Sequence, residues 1–171
     1  MLYLTVSRSC RKPCLVILGL IALGCDMPHD VDGTHATATQ GKIRVGVSEC
    51  EPWTGENDGE YSGIEVELVA KLAKQLGAEP EWHLGSESEL FEKLHQGQLD
   101  IVIGGITEDT PWSDYVGLTR AYAETTDQPA DDPKKHVWAV RAGENRWLLE
   151  LDRFLQEHRS EVARWVLEAR Q

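Results

Sequence analysis

Nowhere in these 171 residues does an apolar run approach the roughly twenty residues that a helix needs to cross a bilayer. The longest, Cys14 to Leu23, covers about ten residues and follows the positive charges of Arg8, Arg11 and Lys12. A basic start followed by a short apolar stretch is the layout of a secretory signal, not of a permanent anchor. A buried core helix is disfavoured as well, because nothing around the run is periodic.

Positive charge is scarce. There are 17 basic against 29 acidic residues, a net charge of −12, and removal of the leader's three basic residues takes the mature chain to −15. That sign argues against a nucleic-acid partner and fits a solvated acidic surface. Cysteine is scarce too. Cys10 and Cys14 leave with the leader, so no disulfide framework or zinc cluster follows. Neither a metal site nor a cofactor is expected.

Ala22-Leu23-Gly24-Cys25 resembles the lipobox of bacterial lipoproteins, with Ala22 and Leu23 in the reverse of the usual order. The resemblance implies a signal peptide over 1–24, acylation of Cys25 and a membrane partner through the lipid, since several acyl chains give stable attachment. Asp26 resembles an inner-membrane retention signal of enteric bacteria. Cys50 is then the single thiol of the mature chain. From Asp26 to Gln40 the chain is rich in Asp, Thr and Gly and poor in apolar residues, which predicts a flexible tether over 25–40. His29 and His35 lie in it among acids, either as a weak metal site or, by default, as solvated linker residues.

The remaining 41–171 is one domain by size. Ile43 to Val47 reads as a strand and Pro52 to Ser62 as a turn-rich loop. Ile64, Leu68, Leu72 and Leu76 recur at helical spacing until Gly77. A strand over Glu79 to Leu84, a helix over Ser88 to Gln96 and a fully covered strand over Leu99 to Ile103 follow. Pro129 and Pro133 predict a surface loop from Ala123 to Lys135. Val137 to Arg141 resumes strand character. One helical stripe then runs from Trp147 to Leu155, and a last helix covers Glu161 to Ala169. Alternating strands and helices predict an α/β lobe with a mostly parallel central sheet and helices on both faces.

Gly63-Ile64-Glu65-Val66-Glu67-Leu68, running into the helix, resembles the signature of the family 3 extracellular solute-binding proteins that feed ABC importers. Gly63 permits the turn and Glu65 and Glu67 favour the helix N-terminus. Leu99 to Thr107 resembles the strand and turn before that family's hinge, and Trp138 to Asn145 the returning strand. The resemblance implies one lobe of a periplasmic-binding-protein type II fold, a single antiparallel returning strand, an extracytoplasmic location, a small-solute ligand and an ABC permease or other envelope protein as partner. The chain departs from the pattern twice. Where the family crosses into a second lobe, only Ala123 to His136 intervenes. Where amino-acid binders carry the Thr-x-x-Arg that clamps a carboxylate, Asp109 and Trp112 stand, so an anionic carboxylate held in the family manner is not expected.

Ligand contacts are expected at the strand ends, from Glu51, Trp53, Gly105, Ile106, Thr107, Asp109 and Trp112. Core packing competes as the role of the tryptophans, and solvation or helix capping as that of the acids; Thr110-Pro111 can start a helix. Three functional readings are weighed: a membrane-anchored solute-binding-like protein of ABC-type transport, an interaction or sensing module built on the face a second lobe would cover, and an enzyme, since a few relatives of the resembled family are dehydratases; a relic without binding activity stands beside them. No enzyme is expected, because His83, His95, His136 and His158 fall in different elements with no nucleophile, base and orienting acid.

Overall fold

The computed structural model describes residues 28–39, 41–126, 128 and 132–169. The expected signal peptide and Cys25 lie outside the described residues. Among those described, no helix is long and apolar enough to cross a membrane.

Strand β1 (Lys42–Val47) alternates as the sequence requires, with Ile43, Val45 and Val47 buried on one face. A β2–β3 hairpin (Gly55–Asn57, Glu60–Ser62) leads to helix α2 (Ile64–Leu76); the short α1 (Thr34–Ala38) precedes them all. Helix α2 buries Ile64, Val66, Leu68, Val69 and Leu72 and ends at Gly77, whose φ of 65° suits a glycine C-cap. Strand β4 (Glu79–Leu84), helix α3 (Glu87–His95), strand β5 (Ile101–Ile103), strand β6 (Val116–Leu118), the β7–β8 ribbon (Ala123–Thr125, Lys134–His136), strand β9 (Ala139–Arg141) and helix α4 (Asn145–Ala169) complete the chain.

The central sheet has the order β4-β1-β5-β9-β6. Strands β4, β1 and β5 are parallel, and β9 runs antiparallel to both β5 and β6. This is the mostly parallel sheet that the alternating pattern predicted, with the one antiparallel returning strand that the resemblance implied. Ile101 and Ile103 turn to the face covered by α2 and α4, while Val102 turns to the face covered by α3 with Leu90, Phe91 and Leu94. Arg44 forks onto Asp100 at 2.5 and 3.2 Å, tying β1 to the start of β5.

The structure differs from the local reading in five places. The two expected C-terminal helices are one: buried Leu151, Leu155, Val162 and Val166 keep a helical stripe through the polar stretch Gln156 to Ser160. The turn-rich loop contains the β2–β3 hairpin, and the ends of the 123–135 loop pair as the β7–β8 ribbon. Thr110-Pro111 opens turns, not a helix.

The fifth difference is the expected tether. Its described part, 28–39, is packed on the lobe. The Asp30 carboxylate accepts from the Arg146 and Trp147 N–H groups at the start of α4 (2.6 and 3.0 Å), while Glu144 accepts from Asp32 and Thr34 (2.8 and 2.9 Å). Ala38 is fully buried, and the His35 ring meets Trp147 edge-on at 6.4 Å. Low apolar content did not prevent docking, because buried carboxylates capping backbone N–H groups hold the segment.

Candidate functional site

Parallel strands β1 and β5 end at the same edge of the sheet, and the loops that follow them face each other there. Antiparallel β9 brings its preceding residues, His136 to Trp138, to that edge too, and α4 returns its last turns to it. The result is an open cleft of about 840 Å³, lined by Glu51, Trp53, Gly105, Thr107, Lys134 and His136 among others.

The floor is the Gly104–Gly105 turn. Buried Glu65, the second residue of α2, accepts from the Gly104 and Gly105 N–H groups at 2.7 and 2.9 Å and from the Tyr122 hydroxyl at 2.5 Å. Burial raises the Glu65 carboxyl above its ordinary range, against the opposing pull of those three hydrogen bonds. Burial, followed by the charge of Glu65, holds the Tyr122 hydroxyl well above its own. The helix is seated by the cleft loop itself: Ile64 and Glu65 donate their N–H groups to the Pro52 and Trp53 carbonyls at 3.1 and 2.9 Å. Gly63, at φ 114°, lets the chain pass the Trp53 carbonyl, into which any Cβ would run.

The walls are set by His136. One ring nitrogen meets the Gly105 carbonyl at 3.2 Å and the other the Thr125 hydroxyl at 2.8 Å, while Trp53 lies against its face at 4.0 Å. Burial lowers the pKa of the imidazole, favouring its neutral form. Cys50 is half-buried beside Gly105, and burial pushes its thiol up. At Gly105 (φ 65°) a Cβ would stand 2.7 Å from Trp53 and 2.8 Å from Cys50, so backbone alone fits.

Of the residues expected from sequence, Glu51, Trp53, Gly105 and Thr107 line this cleft. Trp53 is 4% exposed and packs against Tyr122 as well, so it serves the core and the wall together. Ile106 is buried with the α3 side of the core, its carbonyl accepting from the Val137 N–H at 2.9 Å. Asp109 is exposed and accepts from the Thr107 hydroxyl, which lowers its pKa. Trp112 stacks on Phe91 at 5.3 Å and belongs to the α3 packing, not to the cleft. Cys50, Thr125, Lys134, His136, Val166 and Ala169 were not foreseen as lining. They reach the cleft only through the ribbon, the first loop and α4. Among the described residues no group of three or more His, Cys, Asp or Glu is placed to hold a metal ion.

The profile of the bacterial extracellular solute-binding proteins, family 3, matches residues 43–164. A comparison with curated proteins returns no match. Among solved structures the lobe is similar to the arginine-bound form of domain 1 from TmArgBP, with 22% identity over 71% of this chain and 97% of that one and a TM-score of 0.62. An ancestral amino acid-binding protein described as a precursor of cyclohexadienyl dehydratase is similar at 14% identity, over 77% and 98% of the two chains, with a TM-score of 0.66. The L-cystine solute receptor of Neisseria gonorrhoeae, in its unliganded open form, is similar at 12% identity over 75% and 91%, with a TM-score of 0.62. At such identities these likenesses speak to the fold.

Proposed function

Because the chain belongs to the bacterial extracellular solute-binding proteins of family 3, we propose that it is an extracytoplasmic, lipid-anchored lobe that captures a small solute for ABC-type transport. The observation that carries this reading is the cleft at the carboxyl edge of the sheet, with its Gly104–Gly105 floor pinned by buried Glu65. Such an edge is where open α/β sheets bind ligands.

The solute is neutral or cationic. Trp112 stands where the family arginine would clamp a carboxylate and Asp109 where its threonine would, while Glu51 supplies a negative charge to the lining, with Lys134 as its cationic member. A single wall supplies only part of the contact that a closed two-lobe receptor makes, and half of a micromolar binding energy corresponds to affinity of about millimolar. That TmArgBP domain 1 alone has an arginine-bound form supports capture by one lobe.

The test is thermal unfolding of residues 26–171 against amino acids, polyamines and other small metabolites at millimolar concentration, with light scattering for the mass. A specific rise in melting temperature, lost in Thr107→Val, supports the reading; no rise with any compound overturns it. A second reading, recognition of a protein by the same face, is favoured by Leu167, 62% exposed beside the cleft-lining Val166.

A further inference from the structure

The docked N-terminal segment ends in a surface of its own. Pro28, His35, Arg146, Leu149, Glu150 and Arg153 surround a shallow depression of about 330 Å³ on the first turns of α4. Leu149 is 42% exposed and the Arg153 side chain 60%. In a chain whose acids outnumber its bases by 29 to 17, this lining holds two arginines and one carboxylate. Glu150 reaches Arg153 at 3.3 Å.

Chain length places this patch. Pro28 lies three residues after Cys25, a reach of at most about 11 Å. The reciprocal caps at Asp30 and Glu144 prevent the following residues from lengthening that reach. A lipid on Cys25 therefore holds the patch at headgroup depth, where a free fifteen-residue tether would let the lobe drift well beyond it.

We propose that the Pro28, Arg146, Leu149 and Arg153 face docks on anionic lipid headgroups, so that the anchor fixes the orientation of the lobe as well as its location. The two guanidiniums bind lipid phosphates and Leu149 lies at the interface. Helix α4 then stands between membrane and cleft. From Arg146 to cleft-lining Val166 it rises about 30 Å, which is the distance at which it holds the cleft from the docked face. The inference rests on acylation of Cys25, the anchor reading proposed above.

The test uses the membrane-extracted protein, its acylation read first by mass spectrometry. In a Cys50→Ser background, a nitroxide is placed at Leu149→Cys or, for comparison, at Leu167→Cys near the far end of α4. Each protein is reconstituted in vesicles of phosphatidylcholine with or without phosphatidylglycerol, and relaxation by a headgroup-bound paramagnet is measured. The expected result is strong relaxation at 149 and little at 167 in anionic vesicles. Arg146→Glu with Arg153→Glu should reduce the effect at 149 by roughly fivefold per arginine while unfolding stays unchanged. Equal relaxation at the two positions in an acylated protein overturns the docking alone, as does insensitivity to the charge reversal. A chain recovered without acyl groups overturns the anchor and the docking together.

Discussion

Asp30 and Glu144 cap each other's helices. Asp30 accepts from two N–H groups at the start of α4, Glu144 accepts from Asp32 and from Thr34 of α1, and the two backbones are joined by an antiparallel bridge. Each carboxylate thus secures the segment that carries the other. Asp30→Ala and Glu144→Ala are each expected to cost about 1–2 kcal/mol in urea unfolding. The double variant should cost clearly less than the two together, because either change alone releases the strap. Strict additivity would show that the caps act independently.

Glu65 sets a pH dependence. Burial raises its carboxyl pKa in the folded state, so the stability contributed by the protonated form is complete below the unfolded value of about 4.3 and is lost as pH rises through the folded pKa. The stability of the wild type relative to Glu65→Gln should therefore fall as pH rises from about 4 and then level off. Urea midpoints of both proteins across that range provide the measurement; a constant difference would contradict the assignment. Glu65→Ala, which leaves the Gly104 and Gly105 N–H groups without their acceptor, should cost about 1–3 kcal/mol or more.

His136 acts with the opposite sign. Burial lowers its pKa, so its contribution is present above the unfolded value of about 6.5 and is lost as pH falls through the folded one. Relative to His136→Gln, the wild type should lose stability on acidification below that point. An unchanged difference would mean that the imidazole titrates as it does in the unfolded chain.

The Cys50 thiol is held up by burial and then by the charge of Glu65. Alkylation at neutral pH should be slower than that of a small free thiol, should accelerate with rising pH, and should slow further when a solute fills the cleft. Iodoacetamide labelling followed by mass spectrometry reads all three.

Gly105→Ala should abolish any solute-induced rise in melting temperature, because a Cβ there meets Trp53 and Cys50 at under 3 Å. Trp112→Phe should leave the rise unchanged, since that ring stacks on Phe91 outside the cleft. Loss of binding in Trp112→Phe would relocate the site.

Much of the lobe was legible locally. The spacing of Ile64, Leu68, Leu72 and Leu76 and the stop at Gly77 correspond to α2, and the strand pattern at Ile43 to Val47 corresponds to β1. The three-residue strands β2, β3, β6, β7 and β8 are too short to carry a period, so composition read them as loop or left them unassigned. Glu51, Trp53, Gly105 and Thr107 were found by following strand ends. His136 and Lys134 were missed, because only the pairing of β7 with β8 and the return of β9 bring them to that edge.

The sequence by itself determined the solute-binding-like lobe: its periodicities specify which faces are apolar, and those faces admit few ways of packing helices on a sheet. The tertiary structure decided what depends on partners remote in the chain. Glu65, read locally as a helix-start acid, became the acceptor that pins Gly104 and Gly105, some forty residues away. Asp30, read as part of a solvated tether, became a cap for Arg146 and Trp147. A lone carboxylate carries no local mark of the N–H groups it will meet; only burial beside them makes the hydrogen bonds strong enough to hold.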